Sequence, residues 1–410
     1  MPEKIIFIPL FILLATVAWC GGSQEDQPQR GEPDTETVHS GEGDGLTPTD
    51  QSGQTGYTDF TSGTAEVIKE NMMPLFEEGM YRELSTEEQI FLDHYIPEGI
   101  PGSLHVGYFR SGETKLAAYL FSPQTNDADF SGSDAAGSAA DSSGSDVVRA
   151  AAAGSADSEI PVKGTVLLLH GYLDHTLSNR YLIRFLLKQN YAVAAFDLHG
   201  HGLSGGEPVH IDDFREYAEG LARFINLLNQ TDYLPIPPPR VAVAHSTGCS
   251  VLMEMNSVYG NPFDRVIFAA PLVQAVGWRV SGLGVRLADP FSDEVFRRFG
   301  GSSSNREHED FVKNRDPLQS RRVPFSWVYA HENWVERMKD IPADNRFAPI
   351  ILQGEEDSVV DDSYNIPFLR EKYPEAQIFF IPEAEHSLFN EVPEIRNEVF
   401  EEILDILEVH

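Results

Sequence analysis

Beyond residue 164 the chain alternates short apolar runs with longer stretches of helical spacing. Residues 165–169 and 191–196 are continuous apolar runs, the pattern of strands covered on both faces. Further short runs at 241–244, 266–270, 350–352 and 377–381 read the same way. Between them, apolar positions recur with helical period over 177–189, 211–229, 247–259, 362–372 and 394–407. The second helix is expected to carry Asp212 and Asp213 in its first turn. Upstream, 104–110 and 115–121 alternate around Ser111-Gly112-Glu113, a hairpin pattern. Strands alternating with helices imply an α/β fold: a mostly parallel sheet with helices on both faces, here with an N-terminal antiparallel hairpin.

Three stretches break this rhythm. Residues 21–63 and 122–160 are rich in Ser, Gly, Ala, Thr and acidic residues, and the first is nearly devoid of apolar side chains. The first is expected to be a disordered acidic tether, since it cannot bury enough surface to offset its chain entropy. The second is expected to be a low-complexity insert between two strands, within a folded domain spanning 64–410. The third, 272–347, carries Trp278, Trp327, Tyr329 and Trp334 with several arginines. It separates two sheet strands on the side where strand ends point, the place of a cap over a ligand crevice.

Composition narrows the partners. The 410 residues carry a net charge of −34 and are 41 % hydrophobic. That is apolar content enough for one sizeable core. The charge excludes a nucleic-acid partner, because nothing could neutralise a row of phosphates. It also excludes electrostatic adhesion to an anionic membrane. A membrane partner enters by another route. Lys4 precedes an apolar stretch over 5–18, shorter than the about 20 residues needed to span a bilayer and typical of a signal-peptide core. It ends at Val17-Ala18-Trp19-Cys20 before Gly21-Gly22-Ser23. The arrangement resembles a bacterial lipoprotein signal, with Trp19 where a small residue is usual. It implies cleavage before Cys20, lipidation of that residue and an exported, envelope-anchored protein. Only one other cysteine exists, Cys249, so a lipidated Cys20 leaves no intrachain disulfide; Cys249 reads as a small buried residue.

The chemistry is carried by three segments. In Val241-Ala242-Val243-Ala244-His245-Ser246-Thr247-Gly248 an apolar strand runs through a serine flanked by small residues into a helix. That is the pattern of a nucleophile elbow, a turn that lifts the serine above the sheet, with Ala244 in place of the more usual glycine. A nucleophilic serine needs a base, and the base an orienting carboxylate. Asp357 follows the 350–352 strand, and His386 follows the 377–381 strand. Asp361 and Asp362 fall where the next helix begins and are expected to cap it. Ser246, Asp357 and His386 thus form a candidate triad, each just past its own strand. The backbone N–H groups of Tyr172 and Thr247 are the candidate oxyanion donors. His170 is expected to brace the oxyanion loop, and His175 to be structural. No metal-ligand spacing appears, and no cofactor is implied.

Five motifs recur in order: His170-Gly171-x-x-Asp174-His175, Asp197-x-His199-Gly200-His201-Gly202-x-Ser204-x-Gly206, the 244–248 elbow, Gln353-Gly354-x-x-Asp357 and His386-x-Leu388-x-Asn390-Glu391. Together they resemble the monoacylglycerol lipase and lysophospholipase branch of the α/β-hydrolases, often grouped as serine aminopeptidase-like. The resemblance runs from about residue 100 to the C-terminus outside the insert and weakens in the cap. It implies the α/β-hydrolase fold and hydrolysis of single-chain lipid esters through an acyl-enzyme. It supports Ser246, Asp357 and His386 in the triad, and implies that the histidines of 197–206 are architectural. Two other readings stay open. An aminopeptidase would need carboxylates to grip a substrate ammonium, and Glu307, Glu309 and Asp310 are placed for that. A non-catalytic surface lipoprotein would keep the fold as a binding module.

Overall fold

A computed structural model describes residues 60–77, 83–123, 162–231 and 237–409. Cys20, the signal segment, 21–59 of the tether and all but the first two residues of the 122–160 insert lie outside them. Packed structure begins earlier than residue 64. Phe60 is buried, and Thr61 caps helix α1 (Ser62–Asn71) by accepting from the Thr64 N–H. The tether therefore ends before Phe60, whose ring lies against Phe91 and Tyr95 of α2 (Thr86–Tyr95).

The hairpin follows as β1 (Gly102–Ser111) and β2 (Thr114–Pro123). Then come β3 (Gly164–Leu169), α3 (Arg180–Lys188), β4 (Tyr191–Phe196), α4 (Phe214–Gln230), β5 (Val241–His245), α5 (Thr247–Tyr259) and β6 (Arg265–Ala269). The 272–347 stretch holds α6 (Trp278–Ala288), the small pair β7 (Glu294–Phe296) and β8 (Arg322–Pro324), α7 (Arg306–Asp310) and α8 (Phe325–Asp340). The chain ends with β9 (Ile350–Gly354), α9 (Asp362–Lys372), β10 (Gln377–Ile381) and α10 (Pro393–Glu408).

Two local expectations shift. Helix α3 is preceded by a separate 3-10 turn, Thr176–Asn179, so the helical spacing from 177 covers two elements. Helix α4 starts at Phe214 with Asp213 as its cap. The Asp213 side chain accepts from the Arg215 N–H, and Glu216 returns a bond to the Asp213 N–H. Asp213 therefore closes the helix end from outside and is not within the first turn.

The eight-stranded sheet has the order β1-β2-β4-β3-β5-β6-β9-β10. Strand β2 is antiparallel to both neighbours and every other pairing beyond it is parallel. From β3 the chain moves outward to β4, then returns to lay β5 on the opposite side of β3. The order therefore reverses between β3 and β5, and the carboxyl ends of strands at such a reversal are where open α/β sheets bind ligands. Alternate residues feed two cores. Leu167, Leu169, Ala242 and Ala244 face α4, α5 and α8, whereas Val166, Leu168, Val243 and Ile267 face α2, α3 and α10.

The 272–347 stretch is not one detached layer. Trp327, Trp334, Val335 and Met338 of α8 are buried in the main core, with Trp334 stacked on Phe214 of α4 at 5.2 Å. Helix α6 instead turns Val280, Leu283 and Leu287 outward. Among the described residues no helix is long and apolar enough to cross a membrane.

Candidate active site

The site is built where β3 and β5 end. Ser246 follows β5 with φ 51° and ψ −116°, a strained conformation for a residue with a side chain, held by a bond from its N–H to the Ala269 carbonyl (2.9 Å). Strain of this kind at the head of a helix is what an elbow requires. Gly248 is needed two residues later, since a Cβ there would lie 2.8 Å from the His170 carbonyl oxygen. Gly171 is needed for the same reason from the opposite loop: a Cβ would come within 3.1 Å of Ser246 Cβ and of His245 Nδ1. The loop after β3 and the Ser246 turn thus pack tightly against one another. Thr247 is the first residue of α5, so its N–H has no intrahelical acceptor.

Asp357 and His386 are brought together past β9 and β10. Gly354 ends β9 where any Cβ would stand 2.4 Å from the carbonyls of Ala384 and Glu385, so its absence lets the His386 loop approach. The Glu356 N–H ties the acidic turn to the Ala384 carbonyl (2.9 Å). His386 Nδ1 pairs with Asp357 Oδ2 at 2.9 Å. The other carboxylate oxygen accepts the Val359 and Val360 N–H groups at 2.8 and 3.1 Å, and Gln353 Nε2 adds a bond to Oδ2. Burial pushes the Asp357 carboxyl up, but the His386 imidazole and these N–H donors outweigh it and hold it below the ordinary range.

His245 joins the two halves. Its Nε2 donates to the His386 carbonyl at 3.0 Å, and the two rings lie 4.8 Å apart. The residue before the serine therefore fixes the loop that carries the histidine. Burial lowers the His245 pKa to about 3, so the ring is neutral. Sequence reasoning missed this role: His245 occupies a variable place in the elbow pattern, and only the folded contact reveals it.

The supporting loops are polar and tightly bonded. His170 accepts the Leu198 N–H at Nε2 and meets the Gly171 carbonyl at Nδ1 (2.9 and 2.7 Å), bracing the oxyanion loop as expected. Asp197 accepts from Thr176 N–H, Tyr119 hydroxyl and Leu203 N–H within 2.8–2.9 Å. His199 and His201 flank it without converging on a common point with other ligands; among the described residues no group of His, Cys, Asp or Glu could hold a metal. His175 has a firmer role than structural filler, pairing with Asp316 at 3.0 Å in full burial. Burial alone would lower the His175 pKa, yet Asp316 raises it. Burial likewise pushes Asp316 up, but His175 and Tyr95 bring it to about 2. Cys249 is buried with its thiol directed to the Ala244 carbonyl, consistent with packing.

From the other side, Trp327 stacks on the Tyr172 ring at 3.7 Å, and the Tyr172 hydroxyl donates to the Val209 carbonyl (3.0 Å). The 272–347 stretch thereby touches the loop after β3 directly. The acids that could have gripped an ammonium are largely engaged: Glu309 by Arg306 and the Ser302 N–H, and Asp310 by Arg315.

Residues 160–393 match the family described as serine aminopeptidase, S33. The chain belongs to that family. It is 27 % identical over 113 residues to a monoacylglycerol lipase of Mycolicibacterium smegmatis, a match spanning 28 % of this chain and 39 % of that protein. It is 22 % identical over 287 residues to a probable lysophospholipase L2 of Haemophilus influenzae, spanning 61 % of this chain and 86 % of that one. The crystal structure of a soluble variant of the Saccharomyces cerevisiae monoglyceride lipase superposes with a TM-score of 0.56 at 17 % identity, over 76 % of this chain and 96 % of that one. The fold of this S33 family member is the α/β-hydrolase fold.

Proposed function

We propose that this S33 family member hydrolyses carboxylic esters of single-chain lipids, of the monoacylglycerol or lysophospholipid kind, through an acyl-enzyme on Ser246. The observation that carries the reading is the pairing of His386 Nδ1 with Asp357, on a loop bonded to the residue beside Ser246. With Nδ1–H directed to the carboxylate, Nε2 is left to take the Ser246 proton as its oxygen attacks the ester carbonyl. The Tyr172 and Thr247 N–H groups then hold the oxyanion, and the imidazolium protonates the leaving alcohol. Water cleaves the acyl-enzyme by the same route. Relatives named as monoacylglycerol lipase and lysophospholipase support the substrate class.

Ser246→Ala is expected to lower kcat on p-nitrophenyl esters by about a millionfold with the circular dichroism unchanged. Turnover at the parental rate would remove Ser246 from the mechanism. A fluorophosphonate probe should label the parent and not the variant, which separates an enzyme from a binding module. Amino-acid arylamides assayed beside fatty-acyl esters separate the aminopeptidase reading, which the engagement of Glu309 and Asp310 disfavours. We also propose that the chain is exported and held at the envelope by lipid on Cys20. Radiolabelled palmitate should enter the parent and not Cys20→Ser.

A further inference from the structure

One residue of the loop after β3 is held in a conformation it would not adopt alone. Leu173, next to Tyr172, has φ 61°, in the left-handed region that disfavours any residue with a Cβ. Strain of this kind persists only where the surroundings impose it. Here the grip comes from the 272–347 stretch. Arg297, just after β7, donates from Nη1 to the Leu173 carbonyl at 3.2 Å. The same Nη1 donates to Gln319 Oε1, Gln319 Nε2 donates to Asp316 Oδ2 at 3.1 Å, and Asp316 pairs with His175 at 3.0 Å. The circuit leaves the loop at Leu173 and re-enters it two residues later, so the cap clamps the loop at both ends.

Arg297 is itself set firmly. Its N–H donates to the Arg321 carbonyl at 2.9 Å, extending the β7–β8 pair and keeping Arg297 and Gln319 close together. Its guanidinium lies over the Phe299 ring at 4.6 Å. Its side-chain hydrogen bonds go to a carbonyl and an amide, while Asp174 and Asp316 act on it only at longer range. A guanidinium that donates to a carbonyl makes a charge-assisted bond, stronger than one between neutral groups. That bond offsets the strain at Leu173.

The clamp bears on the reaction through Tyr172. The Tyr172 N–H follows Gly171, which packs on the Ser246 turn, and among the described residues no acceptor is bonded to it. Were Leu173 to relax to negative φ, His175 would stay fixed by Asp316 and the Tyr172 main chain would turn instead. The Trp327 stack holds the Tyr172 ring, not the peptide that carries the donor. We propose that Arg297 is a positioning residue of the hydrolase: by holding Leu173 it aims the Tyr172 N–H at the oxyanion formed on Ser246. This role rests on the ester-hydrolase reading. The other donor, the Thr247 N–H, is set by α5. Loss of Arg297 therefore weakens one donor of two and leaves Asp357 and His386 in place.

The test compares the full-length parent with Arg297→Met, Arg297→Lys and Arg321→Gln on monooleoylglycerol. Two inhibitors divide the effect. An oleyl trifluoromethyl ketone adds to Ser246 and places an oxyanion in the hole; a glyceryl monooleyl ether has no carbonyl to attack. Arg297→Met is expected to lower kcat by about tenfold or more, toward the roughly hundred- to thousandfold lost when an oxyanion donor is removed outright. Its Ki for the ketone should rise by the same factor, with KM, the ether Ki and the pH profile of kcat unchanged. Arg321→Gln removes a guanidinium over the same Phe299 ring (5.5 Å) without touching Leu173, and kcat should hold. Arg297→Lys keeps a charge but not the guanidinium geometry, and should show the same losses at smaller size, about threefold or more. It carries the test if circular dichroism shows Arg297→Met unfolded, and a smaller loss then overturns the role. Parental kcat and ketone Ki in a folded Arg297→Met overturn it. So does a rise in KM and ether Ki at constant kcat, which would make Arg297 a shaper of the pocket, and so does an equal loss in Arg321→Gln. A parent that neither turns over the ester nor binds the ketone removes the hydrolase reading itself; a parent active on both with an unaffected Arg297→Met removes only the role of Arg297.

Discussion

Two carboxylates on the sheet side of the site and one imidazole on the cap side are buried in opposite ways. On the sheet side, Asp357 and Asp197 are each buried and each saturated: both oxygens of both carboxylates accept, from backbone N–H groups and from one fixed side chain or more. On the cap side, His331 of α8 is fully buried with neither ring nitrogen bonded, and Trp334 Nε1 is likewise unpartnered. His331 is held by rings alone, Trp327 stacked at 5.2 Å and Trp278 edge-on at 4.5 Å. A saturated carboxylate has one geometry and tolerates no replacement. A ring packed among rings is held by shape and dispersion, which admit several solutions. The difference assigns a single geometry to the two carboxylates and a more adaptable packing to the ring stack around His331.

The largest effect that could break this comparison lies at Asp357. Asp357→Asn keeps the shape but presents an amide to His386 and the two N–H groups, favouring the wrong tautomer. A loss of about 10⁴ in kcat is expected, the size seen when a triad carboxylate becomes an amide. Steady-state rates on a p-nitrophenyl ester measure it. A loss below tenfold would mean that the sheet side is no more exacting than the cap. Asp197→Asn is expected to cost about 3 kcal/mol in stability with little change in the pH dependence of kcat, because a charged acceptor of three donors is lost away from the reacting atoms. Urea unfolding reads this out, and a loss under about 1 kcal/mol would show the cradle to be dispensable.

The contrast also explains what the sequence revealed. Helix α5, helix α9 and strands β4 and β10 begin and end where pattern alone puts them, because each is bounded by local signals: the elbow before Thr247, the cap Asp361 before Asp362, the turns around the strands. The order of Ser246, Asp357 and His386 was legible for the same reason, as each follows a strand whose apolar run can be read. What escaped were contacts made at long range by residues with no local signature. His245 bonds to a carbonyl 141 residues away, and Asp316 reaches Tyr95 and His175 across 221 and 141 residues. Phe60 to Gly63 escaped in the opposite sense, since four residues beside a polar tether carry too little pattern to show that Phe60 packs on α2.

The smallest effect is the most discriminating for the cap. His331→Phe removes two unbonded nitrogens and keeps a flat ring in the stack, so a gain of about 1 kcal/mol is expected at neutral pH, where a polar residue of the sheet side would give a loss. The pH dependence sharpens it. Burial alone brings the His331 pKa to about 3 from 6.5. Below pH 6.5 the unfolded chain takes up a proton that the folded chain refuses, so stability falls with pH from there down to about 3. For this one residue the fall reaches about 2 kcal/mol near pH 5. His170, His201, His245 and His308 are shifted in the same direction, also to about 3, so acid should unfold the parent well above the carboxylate range. His331→Phe should therefore gain more over the parent at pH 5 than at pH 8, and its acid midpoint should move down. An equal difference at both pH values would mean that His331 meets water or a polar partner inside the stack, and it would then be satisfied as Asp357 and Asp197 are.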